Sequence, residues 1–362
     1  MAKILSLVVL CTTLLACLIA PSAQAQTITR TFVSGTGSDN PTCSYTAPCR
    51  HLQNAYNVTP ANGEIDVLDP AGYGNLVITQ PVSILGHDYT SLSAASSGGT
   101  AISINLTSGG YVSIAGVEID GGGSGGNGIS FTSSNGSLSV RDTVIRNFTG
   151  YGITINAPQY VGSDVDLTGV VIDGGGAGTE GIFVTNASIL TIANCVVRNF
   201  LKNGIDVAAA YELALVNTIS SDNGYNGDYS GIYIHSNNSL EAAITGTTAT
   251  GNGSNGIVAQ GTGVSLTIFS SNASNNNNDG VLAQSSASVI VRDTVAADNE
   301  SAGFEAQSSA QLTLAHSVAS NNPNYGIYVN GGTVNTYKDN NIVGSLHPVY
   351  PGSNNLTTIT AY

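Results

Sequence analysis

The sequence has no tryptophan, one methionine and five cysteines, and only 9% of its 362 residues are charged. With so few lysines, glutamates and methionines, the strong helix formers are scarce and long helices are not expected. Lysine and arginine together number nine against 23 aspartates and glutamates, for a formal net charge of −14. A chain this poor in cations lacks the clustered positive charge that nucleic-acid backbones demand. The same balance weighs against a long polyanionic ligand unless local cations or a bound metal reverse the field. After the N-terminal stretch, no segment has the ~18 apolar residues of a membrane span. What the chain does have is 44 glycines, abundant Asn, Ser and Thr, and 41% hydrophobic residues. That last figure is enough to build a core and argues against disorder.

The first residues look like an export leader. Lys3 is followed by an apolar run from Ile4 to Ala20. "PSAQAQ" then places Ala23 and Ala25 at the small-residue positions of a cleavage site. Residues 1–25 are therefore expected to be a signal peptide, and the protein to be secreted or periplasmic. The rival is lipid anchoring at Cys17 in "LLAC", for which Ala-Gln-Ala offers the cleaner alternative. Export makes disulfides permissible. "CSYTAPC" closes a short loop, so a Cys43–Cys49 disulfide is expected, with two free thiols as the alternative. Cys195, in the apolar run "LTIANCVV", is expected to fill a core position.

Internal repetition decides the architecture. "NGISF", "YGITI", "EGIFV", "NGIDV", "SGIYI", "NGIVA", "DGVLA", "AGFEA" and "YGIYV" recur with glycines at 128, 152, 181, 204, 231, 256, 280, 303 and 326. Each glycine precedes an alternating stretch, the signature of a strand with one face buried. A second alternating run lies between them, as in "LSVRDTV", "LTIANCV", "VIVRDTV" and "LTLAHSV". A turn with Asn147, Asn199, Asp222, Asn275, Asp298 or Asn321 follows. One such repeat cannot bury its own apolar face, but stacked repeats can. Asn at the turns is expected to form side-chain ladders along the stack. The reading is an all-β chain: a single-stranded right-handed parallel β-helix of about eleven coils. A leucine-rich-type α/β solenoid would need a helical pattern in each repeat, and "LTLAHSVASNN" has none.

These Gly-Ile-x-Val coils resemble the secreted right-handed parallel β-helix proteins of the pectate-lyase-like superfamily, over roughly Gly63 to Ser345. "SGTGSDNPTCSYTAPCRHLQNAY", with "GEIDVLDPAGYG" and "LVITQPVSILG" after it, is similar to the leader of many such bacterial proteins, in which a short helix caps the first coil. Pro48 suits the first position of that helix, and Leu52, Ala55 and Tyr56 give it one apolar stripe. The expected layout is a leader and cap at 26–62, the β-helix at 63–345, and a C-terminal closure at 346–362. The resemblance implies polysaccharide lyase, glycoside hydrolase or epimerase activity, with substrate in a groove along the stacked strands. The Asn-Thr-Asp, Asp-Asp, Gly-His-Gly and Arg-Ile-Lys motifs of pectin-degrading hydrolases are absent, so no complete catalytic motif is present.

The outward rows of the Gly-Ile-x-Val strands give the candidate site. One row reads Ser130, Thr154, Phe183, Asp206, Tyr233, Val258, Leu282, Glu305 and Tyr328. The next reads Thr132, Asn156, Thr185, Ala208, His235, Gln260, Gln284, Gln307 and Asn330. Three consecutive coils thus bring together Phe183, Asp206 and Tyr233, with His235 beside them and Glu180 at the turn. Aromatic faces suit sugar rings, and a carboxylate with an imidazole suits hydroxyl binding or acid–base work. The alternative is an exposed β face using Tyr and Phe for cross-strand packing. Arg146, Arg198 and Lys202 form a second cluster. Lys202 as base, with Arg198 and Glu180 near it, would be a lyase arrangement; otherwise these cations offset neighbouring acids.

"SSDNGYNGDYSG" carries Asp222, Asn226 and Asp228 and loosely resembles a calcium loop, but Gly224 and Tyr233 stand where that pattern needs oxygen ligands. No cofactor is expected, calcium being the one considered. The partner expected is a polysaccharide or cell-surface glycan, bound by a monomer. A non-catalytic surface or matrix protein is the first alternative and a polysaccharide lyase the second. Finally, "VEIDGGGSGGNGIS" and "VVIDGGGAGTEGIF" lie 53 residues apart and run from strand to strand. They are expected to be widened corners alternating with the "RNF" corners, in a two-coil unit, not phosphate loops, which need a helix N-terminus.

Overall fold

Glycine-led alternating segments and tight Asn turns leave the chain one economical arrangement, and the computed structural model adopts it. The structure describes residues 30–94, 96–158, 162–225, 227–351 and 356–358. The predicted leader with Cys17, and Asn226, lie outside the described residues. About eleven coils stack into a parallel β-solenoid. Each regular coil contributes three strands, and every strand-to-strand pairing between coils is parallel. One stack of twelve strands runs from Leu76–Ile78 to His347–Pro351 and contains all the Gly-Ile-x-Val segments. The other two stacks meet in the long strands Val82–Leu92 and Tyr111–Asp120 of the early coils.

Register follows the sequence pattern. Ile129, Ile153, Ile182, Ile205, Ile232, Ile257, Val281, Phe304 and Ile327 pair in succession and are all buried. Each such side chain is worth about 1.5–3 kcal/mol of burial. The stack extends two strands earlier than the glycine signature, through Leu76–Ile78 and Thr100–Ile104, where Ala101 stands in the glycine's place.

The corners carry ladders of three kinds. Asn147, Asn199, Asp222, Asn275, Asp298 and Asn321 all have φ between 54° and 62°. They are the left-handed turn residues, a conformation that Asn and Asp tolerate best after glycine. The amide ladder expected there lies one residue further on. Asn223, Asn252, Asn276, Asn299 and Asn322 are buried, and each Nδ2 donates to the next Oδ1 at 3.2, 2.9, 3.0 and 3.0 Å. The left-handed residue reverses the chain, and its successor therefore points inward. In the earlier coils Phe148 and Phe200 take that inward place. The second ladder is of hydroxyls. Cys195 N–H bonds Thr218 Oγ1, whose own N–H bonds Thr247, and so on through Ser271, Thr294 and Ser317 at 3.2–3.4 Å. Cys195 is buried at the head of this column as a small, weakly polar member.

The third ladder is ionic. Asp120, Arg146, Asp173 and Arg198 occupy successive places of one column. Arg146 Nε bonds Asp120 at 3.1 Å and also pairs with Glu118, and Arg198 Nε bonds Asp173 at 2.9 Å. The two "IDGGG" corners are built alike. Asp120 Oδ1 accepts Gly122 N–H at 2.8 Å and Asp173 Oδ1 accepts Gly175 N–H at 3.0 Å. In each, two consecutive glycines have positive φ. Gly178 lets the corner close over the Phe200 ring: a Cβ there would lie 2.6 Å from Cε1.

Cys43 and Cys49 are disulfide-bonded. The cap helix is Leu52–Val58, with Leu52, Ala55 and Tyr56 buried. It starts later than Pro48 suggested. Cys49 N–H bonds Phe32 O at 2.9 Å and Ser34 N–H bonds Cys49 O at 2.9 Å, so this segment is held extended against the first strand. Among the described residues no helix is long and apolar enough to cross a membrane.

Candidate functional site

The outward rows pair residue for residue as the alternation requires. Ser130, Thr154, Phe183, Asp206, Tyr233, Val258, Leu282, Glu305 and Tyr328 are successive partners. The second row departs from expectation at one point. A register shift after Ile155 pairs Asn156 with Asn186 and not with Thr185.

Glu180, Phe183, Asp206, Tyr233 and His235 line one groove of about 490 Å³. His235 Nε2 lies 3.0 Å from Asp206 Oδ1, and Asn203 Nδ2 donates to Asp206 Oδ2 at 2.9 Å. Asp206 is thus held from two sides although its side chain points away from the aliphatic core. The His235 ring stacks on Tyr233 at 4.4 Å, and Phe183 stacks on Tyr151 at 5.0 Å. Tyr233 Oη donates to Gln260 Oε1 at 2.8 Å. Burial, then Asp206, pushes the Tyr233 hydroxyl above its ordinary range. Burial likewise pushes the Glu180 carboxyl up to about 7, and Asp206 adds to the rise. Lys202, His235 and Asn203 pull the other way. A carboxyl that keeps its proton near neutrality can donate a hydrogen bond or a proton.

Two of the predicted cations behave differently. Lys202 acts electrostatically on Glu180, and its Nζ lies 5.6 Å over the Tyr229 ring. It is not among the residues lining the groove. Arg198 belongs to a different strand stack and is bonded to Asp173 in the ionic column. The structure therefore does not bring Arg198 to Glu180. Asp222 and Asp228 line a hollow of about 810 Å³ at the neighbouring corner, and Asp228 also borders the groove. Among the described residues, no three His, Cys, Asp or Glu side chains are grouped to hold a metal.

The groove also contains residues outside the predicted set. Asn203, Ser230 and Asn255 occupy Glu180's place, just before the glycine, in the next three coils. That column was readable in the sequence, since each glycine marks its predecessor. Tyr229 comes from the longer turn, whose path over the groove no period predicts.

The family model for the right-handed β-helix region matches residues 180–343. None of the curated proteins compared matches the sequence. Among solved structures, the chain is similar to the A-module of a mannuronan C-5 epimerase from Azotobacter vinelandii. The TM-score is 0.53 at 14% identity, covering 83% of this chain and 91% of that one. It is also similar to the catalytic domain of a GH87 α-1,3-glucanase in complex with nigerose, with TM-score 0.55 at 13% identity over 95% of this chain and 70% of that one. A GH136 lacto-N-biosidase from Eubacterium ramulus gives TM-score 0.52 at 13% identity over 91% and 68%. At these identities the likeness is one of fold. With that stack of coils and that match over residues 180–343, the fold is a right-handed parallel β-helix.

Proposed function

We propose that this β-helix is exported and binds an extracellular polysaccharide along the outward face of its Gly-Ile-x-Val strands. The observation that carries this reading is the groove itself, in which the aromatic rings Phe183 and Tyr233 stand beside Glu180, Asp206 and His235. Rings offer flat apolar faces for sugar C–H groups, and the carboxyl and imidazole groups offer partners for hydroxyls. The structurally similar epimerase, glucanase and biosidase are named for action on saccharides, which supports the same class of ligand. A glycan array paired with assays for reducing ends and unsaturated products tests it. Binding without product supports the proposal, and Tyr233→Ala and Asp206→Asn should weaken that binding. Absence of any glycan contact refutes it in favour of a surface or matrix role.

A catalytic reading draws on one specific observation: Glu180 holds its proton to about pH 7 next to Asp206. Neighbouring carboxyls with unlike environments are the usual basis of acid–base division. In this reading Glu180 donates a proton, with Asp206, His235 and Lys202 as the other candidates. Product formation lost in Glu180→Gln would support it.

A further inference from the structure

Four coils past the groove, the outward face repeats the same plan. Asp279 stands where Glu180 does, just before the glycine of its coil, and Glu305 stands in the row of Asp206. Both carboxyls are offset by 99 residues. The next coil sets a tyrosine beside each: Tyr233 pairs with Asp206, and Tyr328 with Glu305. Two residues on, the same strands place His235 on Asp206 and Asn330 on Glu305, the latter by Nδ2–Oε1 at 3.1 Å.

The strip between the two stations is not ordinary surface. Val258 and Leu282 form its floor, 2% and 7% exposed although they lie in the outward row. Gln260 and Gln284 flank that floor, joined by a 2.8 Å amide bond that continues the link from Tyr233. An apolar floor edged by amides matches a chain with C–H faces and hydroxyl edges. From Asp206 to Glu305 is four strand spacings, about 19 Å.

Charge narrows the class of chain. Asp279 and Glu305 are both buried and interact with each other, and no cation pairs with either among the described residues. Burial and mutual repulsion already hold both carboxyls toward the protonated form, and a polyanion laid here would find no cation to offset its own charge. Hydroxyl groups would instead donate to them.

We propose that the two stations and the strip between them form one track for a neutral, hydroxyl-rich polymer lying along the stack. Glu305, Tyr328 and Asn330 line its second station, with Asp279 buried behind and bonded to Glu305. This rests on the polysaccharide-binding reading above.

The test is calorimetric titration of the folded protein with neutral gluco-, manno-, xylo- and galacto-oligosaccharides of graded length, and with oligouronates. Neutral oligomers should bind, with affinity rising with length until both stations are spanned. Tyr328→Ala and Glu305→Gln should weaken the long oligomers at least tenfold and leave the shortest binders unchanged. Tyr328→Phe, which keeps the ring, should retain long-chain affinity. Tyr233→Ala should weaken short and long alike. If long-oligomer affinity is unchanged in both Tyr328→Ala and Glu305→Gln while Tyr233→Ala still weakens it, the second station is wrong and the polysaccharide reading stands. Tighter binding of oligouronates than of any neutral oligomer overturns the neutral class. No binding of any oligomer to the parent overturns the underlying reading itself.

Discussion

Replacing Asn276 by alanine removes the middle rung of the amide ladder, and the structure gives the cost. The Asn276 Oδ1 accepts both the backbone N–H of Asn252 at 3.2 Å and its Nδ2 at 2.9 Å. Its Nδ2 donates to Ala249 O, Ser274 O and Asn299 Oδ1 at 3.0–3.2 Å. All of these partners are buried or turned inward, so water cannot replace the lost amide. A hydrogen bond contributes about 0.5–1.5 kcal/mol net, and a buried group left unpaired costs about 1–3 kcal/mol. With the Asn252 donors and the Ala249 carbonyl stranded together, the loss should be about 3–5 kcal/mol, at the severe end for a single substitution. Guanidinium unfolding followed by tyrosine circular dichroism measures it. Limited proteolysis shows whether the damage stays near that coil, as nearest-neighbour stability of a solenoid requires. Asn275→Gly, one residue earlier, is the control: it replaces a left-handed turn residue by the one type that adopts that conformation freely, and should change stability by only a few tenths of a kcal/mol. Equal midpoints for Asn276→Ala and the parent would refute the account of what holds the corners.

Four further outcomes follow from the same structure. Reducing the Cys43–Cys49 bond, which closes a loop with sequence separation 6, should cost about 2 kcal/mol, read as a fall in melting temperature on adding reductant. Phe200→Ala should cost about 3–5 kcal/mol in the same unfolding assay, because the glycine corner closed over the ring cannot collapse into the gap. Glu180 is protonated up to about pH 7, so a hydrogen bond donated to ligand should fade as pH rises through 7; Glu180→Gln should bind without that step. Glu305 keeps its proton to about pH 8 in the fold but loses it near its ordinary value of 4.5 when unfolded. Stability should therefore decline between those values and level off above 8, and Glu305→Gln should flatten the slope.

The rows of the Gly-Ile-x-Val stack were legible because period two fixes the face and the glycine fixes the register. A one-residue slip would have turned Ile205 out and Asp206 in. The same logic found Glu180, Phe183, Asp206, Tyr233 and His235 together. Other features needed coordinates. In "SDNG" and "SNNP" the sequence shows two polar residues but not which one takes positive φ, and the ladder falls on the second. Arg198 was grouped with Lys202 by proximity in sequence, whereas a three-sided coil sends residues four apart to different faces. Asp279 stands in Glu180's column but reads as one scattered acid until burial and its contact with Glu305 are seen. The start of the helix was displaced by pairing of Cys49 with a strand that only the folded leader supplies.

The alternation of Asp120, Arg146, Asp173 and Arg198 sets the step by which this solenoid can be shortened or lengthened. Excising a single coil there would set aspartate on aspartate or arginine on arginine, whereas excising two restores the original neighbours. Past Asp222 the inward corner residue is asparagine in every coil through Asn322, and a rung is the same whichever coil is removed. The second half can change length by single coils and the first half only by pairs. Any remodelling of the distance between the two carboxyl stations would therefore be made between Asp222 and Glu305, where the rungs are interchangeable.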